Sequence, residues 1–405
     1  MPPGGYATIW KYRRGVFCLF LKMLACALVL CLVPAIALAA PLEAEAPIEI
    51  DCEAALLMEP DSGQVIFEMN ADDTRAVASV TKVMTILLIC EAVEDGRAAL
   101  DDVVTVSPNA EGMGGSQVLL DIGEQQTVST LLKCVIIASA NDASVALAEH
   151  LYGSEQLFVQ KMNERAQALG AVNTHFVNCT GLPASGQYTT ARDVALMSRA
   201  LINHDTYFKY STVWLDELDH GDGRVTQLTN TNRLMRLYDG CDGLKTGSTQ
   251  EAGYCMSATA KRGDMRLVAV VLGAKSGKSR FDIAGRMMDH GFANYRTYPV
   301  AQKGAKVRGE LPVVAGEKAG VKLQLDDNLT LLIEKGEEGD ITLTPKLPES
   351  VRAPVKAGQR VGSVDVVKDG RVVGQVSVAA AETVGAQNYW DVARRVIGNW
   401  RFKIT

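Results

Sequence analysis

Two stretches of this chain read as paired strands, and they stand far apart in the sequence. "AALLMEPDSGQVIFEMN" reads as two short strands joined by a Pro-Asp-Ser-Gly turn, and "EAGYCMSATAKRGDMRLVAVVLGA" as a hairpin around Lys-Arg-Gly-Asp. Helical patterns fill the space between them. An apolar helix runs from Ser79 to about Val93, and "TVSTLLKCVIIASANDASVALAEHLYG" reads as two helices broken at Ser139 to Asp142. "SEQLFVQKMNERAQALG" is amphipathic at helical spacing and stops at Gly170, and "TARDVALMSRALIN" carries Thr and Asp near its start. Strands at both ends of a helical middle predict one α+β domain, an antiparallel sheet with helices packed on it.

The flanks differ from this middle. Lys11, Arg13, Arg14 and Lys22 precede an apolar run from Met23 to Ala40 that closes on Ala37-Leu38-Ala39, the pattern of an export signal. An uncleaved anchor is the rival reading, but the run is barely long enough to span a bilayer and Pro34 interrupts it. Past Tyr298-Pro299 the chain becomes short strands between Gly, Pro and Asp-Asn turns, a small all-β domain. In the tail "QNYWDVARRVIGNWRFKIT", a helix would place Trp390, Ala393, Ile397 and Trp400 on one face, with Arg394, Arg395, Arg401 and Lys403 adding charge. That suits a helix lying among membrane headgroups; docking on the β-domain is the rival reading. The expected division is a signal at 1–40, a main domain at 41–298, an all-β domain at 299–381 and an amphipathic helix at 382–405.

Residues 1–40 hold four basic side chains and no acidic one, so the remainder is four charges more negative than the whole chain's −6. Such a surface does not attract nucleic acid in general. Cys52, Cys90, Cys134, Cys179, Cys241 and Cys255 lack any C-x-x-C spacing, which argues against zinc, and several lie in apolar runs as buried thiols do.

Three short motifs carry chemistry. In "SVTK", Lys82 stands three residues after Ser79, on the same helix face, where a lysine that loses its proton through burial serves as a base. Alone, the motif also fits a serine cap and a solvated lysine. At the helix break, Ser139 and Asn141 put a hydroxyl and an amide where apolar residues belong, although they also fit a helix cap. "GCDGLKTGSTQEAG" sets Lys245, Thr246 and Gly247 at the opening of a strand pattern that continues to Ala260. Charge, hydroxyl and close backbone approach together suit an extended ligand.

S-x-x-K, S-x-N and K-T-G in that order form the motif set of the penicillin-recognising serine enzymes. With "SANDASVALAE", "GLPASGQYTTARDVALMSRAL", "DGLKTGST" and "APVKAGQRVG", the chain resembles the low-molecular-mass penicillin-binding proteins, the serine-type D-alanyl-D-alanine carboxypeptidases, over nearly its whole length. The resemblance implies a penicillin-binding, β-lactamase-like transpeptidase domain with a helical subdomain. It implies Ser79 as nucleophile, Lys82 as proton acceptor, Ser139 as relay to the leaving D-alanine and Asn141 as holder of Lys82 and the substrate amide. Lys245 would supply positive potential and Thr246 would donate to the terminal carboxylate, with the Arg280 guanidinium suited to the same carboxylate and a solvated arginine at a helix start as its rival reading. The N–H groups of Ser79 and Ser248 would form the oxyanion hole. The implied partners are peptidoglycan stem peptides, β-lactams as inhibitors and the outer face of the bacterial cytoplasmic membrane, held peripherally; no cofactor or metal is implied.

A β-lactamase shares all three motifs, but one of class A needs a carboxylate that activates the deacylating water. Glu149, Glu155 and Glu164 fall in helical patterns, and Glu217 lies in the less regular "WLDELDHGDG". A D,D-endopeptidase that cuts cross-links is a rival within the same enzyme class. A non-catalytic binding protein on the same fold is a rival of another kind, and the intact Ser79, Lys82, Ser139 and Lys245 weigh against it.

Overall fold

Every residue of the first strand, β1 (Ala54–Glu59), is buried, and its alternation decides the architecture. Ala54, Leu56 and Met58 enter one hydrophobic cluster, while Ala55 and Leu57 enter another. A strand with two apolar faces needs cover on both sides. The structure, a computed structural model, describes residues 50–337 and 341–388 together with Ala393. The expected export signal lies outside these residues.

β1 pairs with β2 (Gln64–Met69) across the Pro60–Gly63 turn, as the sequence pattern requires. A tight 3₁₀ turn, Ala78–Thr81, leads into α1 (Lys82–Glu94). Ten of the 13 residues of α1 are buried, so it is a central helix, not a surface one. A small hairpin, β3 (Val103–Thr105) with β4 (Gln125–Thr127), precedes α2 (Val128–Ile137) and α3 (Asn141–Tyr152). α4 (Glu155–Ala168) and α5 (Ala191–Leu201) follow, capped by the side chains of Ser154 and Thr190. Next come α6 (Asp205–Ser211), the hairpin β5 (Leu215–Asp219) with β6 (Val225–Thr229), and α7 (Leu234–Leu237). "WLDELDHGDG", expected to be irregular, is therefore largely strand and turn.

β7 (Cys241–Thr249), β8 (Gly253–Arg262) and β9 (Met265–Ala274) complete an antiparallel sheet in the order β2-β1-β9-β8-β7. Lys245-Thr246-Gly247 sits inside β7, not at the opening of a strand running to Ala260. The chain reverses after Thr249, and residues 253–262 form the partner strand. One sheet face packs on α1 to α5 through residues such as Leu87, Val135, Leu147 and Val270. The other packs on α8 (Gly277–Asn294) through Ile283, Ala284, Met287 and Met288. Cys90, Cys134, Cys179 and Cys255 are buried thiols, Cys52 and Cys241 are half-buried, and all six are unpaired.

β10 (Tyr295–Ala301) runs across the expected boundary at 298 and 299. The strands that follow are β11 (Lys306–Val314), β12 (Gly320–Leu325), β13 (Leu329–Glu334), β14 (Ile341–Lys346), β15 (Val351–Arg352), β16 (Arg360–Lys368) and β17 (Arg371–Ala380). β10 pairs with β13, and the rest form a sheet in the order β14-β16-β17-β12-β11-β15 around Val321, Leu323, Val364, Val376 and Val378. Residues 382–388 are not helical. Val384 bridges to Val355, Glu317 N–H donates to Gly385 C=O and Gln387 N–H to Ala315 C=O, so this segment straps the β-domain. A helix starting at 382 is thereby corrected; the tail from Tyr389, except Ala393, lies outside the described residues. Among the described residues no helix is long and apolar enough to cross a membrane.

Candidate active site

The sequence pattern carries the α-helix back to Ser79, whereas the structure tightens that first turn to 3₁₀. Ala78 takes a φ of 50°, and the turn is wedged between β7 and the loop after Cys179. Two glycines permit the wedge. A Cβ on Gly247 would lie 2.7 Å from Val77 O and 2.8 Å from Ser79 N. One on Gly181, whose φ is +79°, would lie 2.0 Å from Ala78 O. In a 3₁₀ turn residues i and i+3 eclipse, so Lys82 stands over Ser79 with Nζ 3.1 Å from Oγ.

Lys82 is fully buried. Its Nζ donates to Asn141 Oδ1 at 2.5 Å and to the Thr180 carbonyl at 2.6 Å. The Asn141 amide is oriented by its own Nδ2, which donates to Gly114 O at 2.8 Å. A neutral amine has two N–H bonds and one lone pair. With both N–H bonds given to these acceptors, the lone pair is left facing Ser79 Oγ. Burial pushes the Lys82 pKa down to about 7, against upward pulls from Cys179 and Asp142.

Ser139 sits at the break between α2 and α3 with a φ of 63°, a strained value for a residue with a side chain. Its hydroxyl is buried and has no hydrogen-bond partner among the described residues. Lys245 is buried, donates to Thr246 O at 3.0 Å, and is pushed well down by burial and then by Lys82 and Arg280. Thr246 Oγ1 lies 2.9 Å from Thr231 Oγ1, and Ser248 is exposed beyond Gly247. From there a cleft of about 900 Å³ opens past the β7–β8 turn, lined by Arg75, Thr249 and Tyr254 among others. The structure thus brings Ser79, Lys82, Asn141 and Thr180 into one hydrogen-bonded group, with Gly247 packed against the Ser79 turn.

Arg280 is placed differently from the sequence expectation. Its Nη1 donates to the backbone carbonyls of Gly247 at 2.9 Å and Cys255 at 3.3 Å, and the guanidinium lies over Phe281 and Tyr254. It braces β7 against β8. Sequence reasoning misses Thr180, whose contribution is a backbone carbonyl and leaves no side-chain trace. It sees Asp142 only as a first-turn acid. The buried Asp142 carboxylate accepts from Val118, Leu120 and Ala143 N–H, organising the loop that supplies Gly114 O.

A profile described as D-alanyl-D-alanine carboxypeptidase matches residues 41–276. The chain belongs to this family. A second profile, penicillin-binding protein 5 C-terminal domain, matches residues 295–386 of the carboxypeptidase. DacF, the D-alanyl-D-alanine carboxypeptidase of Bacillus subtilis (strain 168), is 39% identical over 355 residues, 87% of this chain and 91% of DacF. Penicillin binding protein 5 from Haemophilus influenzae superposes with a TM-score of 0.74 at 31% identity, covering 84% of this chain and 99% of that one. Penicillin-binding protein D2 from Listeria monocytogenes, solved in an ampicillin-bound form, gives a TM-score of 0.53 at 31% identity, over 61% of this chain and all of that one. The enzyme is a serine-type D-Ala-D-Ala carboxypeptidase of the penicillin-binding class.

Three of the four glutamates weighed for a lactamase are engaged elsewhere in this carboxypeptidase. Glu149 accepts from Ser107 and Asn109, Glu155 from Cys179 N–H, and Glu164 from Gln160 and Lys161. Glu217 is exposed on β5.

Proposed function

We propose that Ser79 is the acyl-ester nucleophile and Lys82 its proton acceptor, acting on the D-Ala-D-Ala end of a peptidoglycan stem pentapeptide. Ser79 Oγ attacks the carbonyl carbon of the penultimate D-alanine as its proton passes to Lys82 Nζ. The backbone N–H groups of Ser79 and Ser248 receive the oxyanion. The C–N bond then breaks, and the leaving D-alanine nitrogen takes a proton through Ser139 Oγ. Water hydrolyses the ester and returns the proton to Ser79. Thr246 Oγ1 and Lys245 hold the terminal carboxylate, whose negative charge favours the ammonium form of Lys245. Asn141 holds Lys82 and the substrate amide, and Gly247 lets β7 pass the Ser79 turn. Arg280 adds positive potential from behind β7.

The observation that carries this reading is the Lys82 amine, buried, with two acceptors on its N–H bonds and Ser79 at its remaining side. A penicillin presents an equivalent carbonyl in its β-lactam ring and a carboxylate on the fused ring, and acylates Ser79; the ampicillin-bound form of the Listeria relative supports this. The division into an export signal at 1–40, a catalytic region to 298 and a β-domain to 381 belongs to the same proposal. So do a membrane-associating helix beyond the strap at 382–388 and action at the outer face of the cytoplasmic membrane. The test is to incubate the mature protein with a labelled penicillin and with a stem pentapeptide, beside Ser79→Ala. A stable adduct and D-alanine release, both lost in the variant, support the proposal. Rapid penicillin turnover without D-alanine release would point to a lactamase, and neither activity to a binding protein.

A further inference from the structure

Two acceptors decide where the Lys82 lone pair faces, and only one of them is a motif residue. The other, the Thr180 carbonyl, belongs to a loop without regular hydrogen bonding, residues 178–187, where a free carbonyl would swing. We propose that Asn178 is a positioning residue for the reaction: it fixes the Thr180 carbonyl and thereby the direction of the Lys82 lone pair. The inference rests on Lys82 being the base.

The geometry is that of one peptide plane. Thr180 C=O and Gly181 N–H belong to the same trans peptide unit and point in opposite directions. Gly181 N–H donates to Asn178 Oδ1 at 2.7 Å, so the carbonyl on the far side is turned to Lys82 Nζ, 2.6 Å away. Asn178 Oδ1 also accepts from Thr180 N–H and Thr180 Oγ1, each at 3.2 Å, and its Nδ2 donates to Leu182 O at 2.9 Å. Gln187 closes the loop. Its Oε1 accepts from the N–H of Val177 and Asn178, and its Nε2 reaches Asn178 Oδ1. The same peptide unit runs into Gly181, where an added Cβ would lie 2.0 Å from Ala78 O at the nucleophile's turn. Asn178 therefore references base and nucleophile to one rigid plane.

Two variants separate this role from loop folding alone. In Asn178→Ala the plane loses its anchor. In Asn178→Asp a carboxylate still accepts from Gly181 and Thr180 N–H, gives up the bond to Leu182 O, and adds a negative charge that favours the Lys82 ammonium. The charged or titratable groups that face Lys82 are Cys179 on this loop, Asp142 on α3 and Lys245 on β7. The measurement is the rate of Ser79 acylation by a chromogenic cephalosporin as a function of pH, with thermal unfolding recorded alongside. Asn178→Ala should lower the high-pH plateau by roughly a hundredfold, the cost of about an ångström of misplacement. Asn178→Asp should keep a plateau near wild type and move the acid limb to higher pH. A folded Asn178→Ala with the wild-type plateau overturns the proposal; if that variant does not fold, an Asn178→Asp acid limb that stays in place overturns it. A wild type with no acid limb would instead refute Lys82 as base, and the proposal with it.

Discussion

Replacing Lys82 by methionine isolates what it costs to bury an amine where the proposed chemistry needs one. Methionine keeps an unbranched, flexible shape and removes the charge. Lys82 is wholly buried, and its pKa stands near 7 instead of 10.5. At about 1.36 kcal/mol per pH unit, that displacement is worth about 5 kcal/mol. Below pH 7 the folded and unfolded chains both hold the proton, and the folded state bears the full cost. Between 7 and 10.5 the folded chain has released a proton that the unfolded chain still binds, so stability rises with pH. Above 10.5 both are neutral and the cost is gone. The unfolding free energy of wild type minus that of Lys82→Met should therefore climb by about 1.36 kcal/mol per pH unit above neutrality.

The slope is a firmer readout than the value at any one pH. The methionine leaves Asn141 Oδ1 and the Thr180 carbonyl without their lysine donor, at about 1–3 kcal/mol each, which offsets the gain at low pH without adding a slope. Lys245 works in the same direction: without Lys82 beside it, its own ammonium becomes easier to hold, so the variant gains further at low pH. Urea unfolding of both proteins from about pH 6 to about pH 10 supplies the comparison. A difference that stays flat to within about 1 kcal/mol would show an unshifted lysine and remove the ground for calling it the base.

Three further outcomes rest on single contacts. Ser79→Ala should abolish the penicillin adduct yet change stability by only about 1 kcal/mol, since among the described residues the half-buried hydroxyl hydrogen-bonds only with Lys82, as thermal unfolding would show. Gly181→Ala should cost about 1–2 kcal/mol from its φ alone, and acylation should fall by roughly a hundredfold because Ala78 O must retreat; a cephalosporin acylation assay reads the second effect. Truncation after Asn388 keeps the strap on the β-domain, so the protein should stay folded and carboxypeptidase-active while leaving anionic vesicles in a flotation assay; continued binding would assign membrane contact elsewhere.

Much of this molecule is legible in residue order. The hairpins β1–β2 and β8–β9, the break at Ser139 and the Thr190 cap are local patterns, and local patterns are set by neighbours in the chain. The position of the K-T-G motif within β7 is not, because glycines in "GCDGLK" look like a turn, whereas the chain reverses only after Thr249. The tail reads as helix too early, because Trp and Arg spacing says nothing of the backbone pairing that holds residues 384–387 on the β-domain.

The site divides along the same line. Side-chain chemistry is written in the sequence, so Ser79, Lys82, Asn141 and Lys245 can be named from their order. Where a backbone carbonyl points is written nowhere. Yet a lysine three residues after a serine becomes a base only when its proton is made costly and its lone pair is aimed. Burial does the first, and two acceptors do the second. One acceptor is the Asn141 amide, visible as a motif residue. The other is a peptide plane held by Asn178, whose Asn-x-Thr-Gly context spells only a turn. A chain could carry all three motifs and still hold an inert lysine if that plane were rotated. In the proposed mechanism, the motifs supply the reacting groups, and the loop after Cys179 supplies the carbonyl that turns the Lys82 lone pair to Ser79.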